Sequence, residues 1–200
     1  MKQVKILTLA LPLAIMSWAH AASAQYTMPT ASRTLQLSAF GAATGVLTGL
    51  GGGKNFGITA GGDLGLPPWH GVRPTIEVRG EFPTDHGLVD SQKSVLAGLK
   101  VDFLLNHRFR PYGNFLFGRG QMDYGNFGYV YGNNIYALTT TYIDSPGGGI
   151  DYQMTEHYAI RLDAQYQRWA DAPTPSGHIW STSASAGLTY YFTFDRHSGR

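Results

Sequence analysis

From Trp180 to Phe194 the chain alternates strictly between two kinds of residue. Trp180, Thr182, Ala184, Ala186, Leu188, Tyr190, Phe192 and Phe194 are separated one by one by Ser181, Ser183, Ser185, Gly187, Thr189, Tyr191 and Thr193. A helix would scatter these two sets around its circumference, whereas a strand sends them to opposite faces. The same period recurs upstream. Val95, Ala97, Leu99, Val101, Phe103 and Leu105 oppose Gly98, Lys100 and Asp102, and Ile76, Val78 and Phe82 oppose Glu77, Arg79 and Glu81. Tyr158, Ile160, Leu162, Ala164 and Tyr166 oppose Arg161, Asp163, Gln165 and Gln167.

Shorter versions lie near 34–46 and 55–66, with further strands expected at 111–124 and 142–153. The stretch from Pro111 breaks the rule. Placing Arg119 and Asp123 on the polar face puts Phe115 and Phe117 there too, which predicts a bulge. Pro74, Pro111 and Pro146 are expected near strand beginnings, where a missing amide donor is tolerated. The whole predicts an all-β fold of eight long strands. Connections near 47–54, 84–92, 125–141 and 170–179 are longer than those near 67–72, 106–110 and 154–157. Long loops at one end and short turns at the other fit an antiparallel up-and-down transmembrane β-barrel.

Periodicity alone leaves open which face points inward. A soluble, lipocalin-like carrier lines its cavity with apolar side chains, and a membrane barrel turns them outward. Composition favours the second. Only 14% of the 200 residues are charged, against roughly a quarter to a third on a soluble surface. Beyond residue 24 the lysines are Lys54, Lys93 and Lys100. Aromatic residues gather at strand ends, at Phe82, Phe103, Tyr124, Tyr158, Trp169, Tyr190, Phe192 and Phe194, as expected of interfacial girdles.

The N-terminus reads as an export signal over residues 1–24. Lys2 and Lys5 precede an apolar run from Ile6 to Ala19, and Ala22-Ser23-Ala24 offers a small-x-small cleavage site. The run is shorter than the ~20 residues of a membrane-spanning helix. A polar leader is expected at 25–33, the barrel at 34–194 and a polar tail at 195–200. Setting Lys2 and Lys5 aside leaves thirteen basic side chains against thirteen acidic, a balance that gives no support to nucleic-acid binding. With no cysteine there is neither a disulfide framework nor a thiolate metal site.

Ser185-Ala186-Gly187-Leu188-Thr189-Tyr190-Tyr191-Phe192 and Gly147-Gly148-Gly149-Ile150-Asp151-Tyr152, the latter followed by Ala159-Ile160-Arg161-Leu162, resemble strands of the OmpA/OmpX-like eight-stranded outer-membrane barrels of Gram-negative bacteria. The resemblance implies a place in the bacterial outer membrane, among its lipids and lipopolysaccharide. It also implies a C-terminal signal read by the barrel assembly machinery, carried here by Ser185, Gly187, Tyr190 and Phe192. The longer relatives' peptidoglycan-binding module is not expected.

With the apolar face toward lipid, Asp63, Glu77, Arg79, Glu81, Lys100, Asp102, Asp151, Arg161 and Asp163 point into the lumen. Buried charges must be paired and hydrogen-bonded, so an ion-pair network centred on Arg79, Lys100 and Arg161 is expected. It would serve as a structural plug, the functional alternative being a gated pore or proton path.

Other motifs carry less. Gly49-Leu50-Gly51-Gly52-Gly53-Lys54 lacks the glycine and hydroxyl residue that a phosphate-binding loop needs at Thr48 and Asn55. His70, His86, His107, His157, His178 and His197 fall in predicted turns, loops or tail without metal-ligand spacing. No cofactor, metal or catalytic residue is expected.

The competing reading is a lipid A-modifying enzyme, a deacylase or acyltransferase, built on His178, Ser181 and Asp171. Residues three apart on a strand face opposite ways, however. The loop at 125–141, with Asn126, Phe127, Tyr129, Tyr131, Asn133, Asn134 and Tyr136, is a possible surface for a partner such as a host cell. The alternative is that its flanking strands run on beyond the bilayer with tyrosines paired across them.

Overall fold

A computed structural model describes residues 35–192, apart from 86, 88, 89, 107, 126 and 127. The expected signal segment, leader and tail, with Phe194, His86, His107, His197, Asn126 and Phe127, lie outside the described residues.

Eight long antiparallel strands close into a barrel: β1 (Gln36–Leu47), β2 (Lys54–Gly65), β3 (Val72–Pro83), β4 (Ser91–Phe103), β5 (Phe109–Asp123), β8 (Leu138–Gln153), β9 (Tyr158–Ala170) and β10 (His178–Phe192). Closure comes from β10 pairing with β1, Leu37 opposite Phe192 and Gly45 opposite Ala184. No edge strand remains in the closed barrel, so the strand backbones pair with one another around the ring rather than with water, as a lipid environment requires. Loops 48–53, 84–90, 124–137 and 171–177 share one end, and turns 66–71, 104–108 and 154–157 the other.

Burial alternates along the strands. Leu99, Leu162 and Leu188 are 66%, 54% and 53% exposed, whereas Lys100, Arg161 and Asp163 are buried in the lumen. The apolar face is the outer wall.

Four local expectations are corrected. The predicted bulge in β5 does not exist: its ladders to β4 and β8 run without a break from Tyr112 to Asp123. Phe115, Phe117, Arg119 and Asp123 all point outward instead. Arg119 tolerates the outer wall because it is close to the loop end, where its guanidinium donates to the Tyr142 hydroxyl (2.7 Å) and lies 4.6 Å from that ring's centre.

Pro146 sits in the middle of β8, not at its start, because that strand begins at Leu138. The pairing of β8 with β9 skips Ser145 and Pro146 and resumes in the same register at Gly147, consistent with proline's missing N–H.

Trp169 and Tyr124 do not belong to the aromatic girdle, since both are buried inside. The outer rings are Phe103, Tyr158, Tyr190 and Phe192 near the turn end and Phe82, Tyr142, Tyr166 and Trp180 toward the loop end. The loop at 125–141 also holds a separate two-stranded hairpin, β6 (Tyr129–Tyr131) and β7 (Asn134–Tyr136). The flanking strands therefore do not simply extend, although Tyr129 and Tyr136 do pair across the hairpin as expected of tyrosines there.

Candidate functional site

The lumen concentrates the polar chemistry of the molecule, and the strand alternation builds it. Positions 77, 79 and 81 on β3, 100 and 102 on β4, and 161 and 163 on β9 share the inward parity, with Asp63 from β2 and Asp151 from β8.

Two clusters result. In the one nearer the turn end, Lys100 Nζ lies 2.8 Å from Asp63, 3.2 Å from Asp102 and 3.7 Å from Asp151. Arg161 donates to Asp63 (2.6 Å) and through Nε to Asp151 (2.8 Å). The guanidinium is also flanked by the rings of Phe40 (4.1 Å) and Tyr112 (5.3 Å), a cation–π arrangement that strengthens where water is excluded. The Thr75 hydroxyl donates to Asp102 and the Tyr191 hydroxyl to Asp151.

In the second cluster Arg79 donates to both oxygens of Asp163 (2.7 and 3.2 Å) and through Nε to Glu77 (2.6 Å). The planar fork of arginine suits this bidentate arrangement. Asn114 and Gln165 fill in around it, donating to Glu77 and Asp163 respectively. Tyr112 ties the clusters together, since its hydroxyl donates to Asp163 (2.7 Å) while its ring faces Lys100 and Arg161.

Of the nine charged residues expected in the lumen, eight make ion pairs and one, Glu81, makes none among the described residues. Glu81 accepts a hydrogen bond from Gln167 (3.2 Å), which in turn accepts from the Trp169 indole (3.2 Å). The pocket at the turn-end mouth, reaching down to Asp63 and Lys100, has room for about one water molecule.

Toward the loop end the filling changes character. Leu96, Leu116, Met122, Ile143, Trp169 and Ile179 form an apolar cluster with Leu50, Tyr124 and Ala172, and Tyr129 and Tyr136 of the hairpin pack against it. Sequence reasoning missed this plug. Its signal was present: Leu96 shares the parity of Lys100, Ile143 that of Asp151, and Trp169 that of Arg161. Apolar residues intruding on a charged face near one strand end mark a dry stopper.

Above the plug, Asp90 clasps two loops together. It accepts from the Thr48 hydroxyl (2.7 Å) and Gln92 Nε2 (2.9 Å), and its carbonyl accepts from Asn55 Nδ2 (2.7 Å). Burial raises its carboxyl above the ordinary range, and the bonds from Thr48 and Gln92 only partly counter this.

The residues considered for catalysis do not meet. Ser181 is buried inside, its hydroxyl accepting from the Trp169 indole (3.0 Å), whereas the His178 ring contacts the Ser176 carbonyl (2.8 Å). At the C-terminal end of β10, the rings of Tyr190 and Phe192 stand edge to face on the outer wall (5.0 Å). Ser185 lies opposite Thr44 of β1. At Gly187 a Cβ would come within 2.4 Å of the Ala42 backbone.

A closed eight-stranded barrel with an apolar wall and a charged lumen has a known counterpart in sequence space. Residues 7–192 match the family model described as outer membrane protein beta-barrel domain. The chain belongs to that family. Its place is the bacterial outer membrane, with the long loops extracellular and the short turns periplasmic.

Among solved structures it is similar to Neisserial surface protein A, at 15% identity and a TM-score of 0.51 over 79% of this chain and 97% of that one. Similar too is Ail, the attachment invasion locus protein of Yersinia pestis, at 13% identity and a TM-score of 0.51 over 79% and 97%. The outer membrane enzyme PagL aligns at 16% identity and a TM-score of 0.41 over 78% and 99%. No curated protein matches.

Proposed function

We propose that this barrel is a non-catalytic surface protein with a closed lumen, serving envelope integrity or adhesion. The observation that carries the reading is the filling of the lumen: paired charges on the periplasmic side and a dry apolar stopper on the extracellular side. A solute path would need both to be displaced. The separation of Ser181 from His178, one buried in the lumen and the other bonded to a loop carbonyl, removes the one hydrolytic pair that the sequence offered.

The test is chemical. Lipid A from cells with and without the gene is compared by mass spectrometry, and an unchanged acyl pattern is expected. Loss of one modification on deletion would assign an enzyme instead.

A specific observation favours adhesion within this reading. Tyr129 and Tyr136 anchor the hairpin on the plug, and its middle pair, Val130 opposite Ile135, is 65% and 72% exposed. Replacing residues 128–137 by a short Gly-Ser linker abolishes adhesion if the hairpin is the contact. Undiminished binding to host cells would remove that role. Ser185, Gly187, Tyr190 and Phe192 act as the assembly signal, so Phe192→Ala slows insertion by the barrel assembly machinery without altering the lumen.

A further inference from the structure

The outer wall carries two cations that the closed-lumen reading does not use. Lys93 on β4 and Arg119 on β5 both point outward. They lie diagonally across the β4–β5 pair, since Lys93 is opposite Gln121 and Arg119 opposite Val95. Neither forms an ion pair among the described residues, in contrast to the outward Arg168, which faces Asp144 at 3.7 Å. Both lie near the loop end, where a cation on the outer wall costs little and its surroundings are headgroups rather than acyl chains.

The two border one groove, lined also by Phe82, Val95, Gln121 and Thr140. Phe82 forms its side wall by folding over Gly80, where a Cβ would come within 2.6 Å of the ring. The carboxylates nearest the rim keep their charge but form no ion pair with either cation among the described residues, and each accepts from a backbone amide. Asp85, which borders Lys93, accepts from the Phe56 amide (2.9 Å), and Asp123 accepts from the Gly125 amide (2.9 Å). Arg119 spends one donor on Tyr142 and keeps others of its five free to bind. Toward the periplasm the wall becomes wholly apolar, with Val78, Val95, Leu99, Phe115 and Phe117 exposed.

We propose that this groove is a binding site for a phosphorylated glycolipid of the outer leaflet. Lys93 and Arg119 hold a lipid A phosphate, and the acyl chains lie along the apolar wall below. The charges match in sign, their position near the extracellular loop end matches the depth of the headgroup, and a phosphate oxygen accepts from both side chains at once. The site is on the outer wall, so it stands or falls independently of whether the lumen conducts.

The experiment uses the full folded chain in neutral-detergent micelles. Purified bis-phosphorylated lipid A is titrated in, and the thermal unfolding midpoint is followed. The expected result is a saturable rise with bis-phosphorylated lipid A and no rise with the same lipid stripped of both phosphates.

In K93Q/R119Q the apparent affinity falls about tenfold or more, the size expected for losing charge-assisted contacts. K93R/R119K retains the response, and so does R168Q, which removes an outward cation elsewhere. An equal rise with the dephosphorylated lipid, or an unchanged affinity in K93Q/R119Q, overturns the proposal. Should K93Q/R119Q fail to fold, the single variants K93Q and R119Q are read in the same way, and the lipid comparison on the unaltered protein still overturns the proposal if the phosphates make no difference.

Discussion

The indole of Trp169 occupies the space that a side chain at Gly120 would need: a Cβ on that glycine would stand 2.5 Å from the ring and 2.4 Å from Ile143. The pair sits in the apolar plug, where close packing leaves no slack. Gly120→Ala therefore lowers stability by about 1–3 kcal/mol, the scale of an overpacked core. Trp169→Phe should relieve part of that loss, so the double variant is less destabilised than the two single changes together. Urea unfolding in lipid vesicles reads both.

Arg79→Ala strands Glu77 and Asp163 together in the lumen with their cation gone. Leaving buried charges without a partner costs about 3–5 kcal/mol. Arg79→Lys keeps the charge but loses the fork that spans Asp163 and Glu77, and falls between the two. An unfolding midpoint unchanged by Arg79→Ala would mean that this cluster does not hold the strands.

Leu162→Arg places a cation on the lipid side of β9, one position away from an arginine that the lumen accepts. On the outer wall away from the interfaces it costs about 2 kcal/mol or more. Folding efficiency into vesicles should fall accordingly. Equal tolerance of arginine at 162 would imply that this face does not meet acyl chains.

Asp90 makes the loop-end clasp sensitive to pH in a direction set by burial. Its carboxyl is raised above 3.8 in the folded protein, so the folded state takes up this proton more readily than the unfolded chain. Protonation therefore adds stability as pH falls through the folded value toward 3.8, and that contribution is lost as pH rises again. The lumen carboxylates titrate too, so the comparison is made against Asp90→Asn, which has no such proton. The native protein gains on this variant in unfolding midpoint as pH is lowered from neutral. A difference constant with pH would assign Asp90 an ordinary carboxyl.

Much of the barrel was legible because alternation and burial obey the same period. Leu99, Leu162 and Leu188 on one parity and Lys100, Arg161 and Asp163 on the other already separate lipid from lumen. What escaped were places where that simple code is overwritten. Trp169 looks like a girdle residue because aromatic residues favour interfaces, yet its inward parity outweighs its position and the lumen is wide enough there for an indole. Arg119 suggested a bulge because a cation on the lipid wall is costly, but near the extracellular end the cost is small and Tyr142 offsets it.

The lumen charges could be named residue by residue because each shares the parity of its strand's other polar residues. Their pairing could not, since Lys100 and Arg161 meet over Asp63 and Asp151 only through strand order and stagger, which period two does not encode. The hairpin within the long loop carries too few residues to set a period of its own.

The central claim is that the lumen is closed, and electrical conductance tests it most directly. Purified, folded protein is reconstituted into planar bilayers and the membrane current is recorded at fixed voltage. The account predicts no stable unitary steps, and their appearance only when the plug is removed, as in a variant combining Leu96→Ala, Leu116→Ala and Trp169→Ala. Large, long-lived channels from the unaltered protein would contradict it.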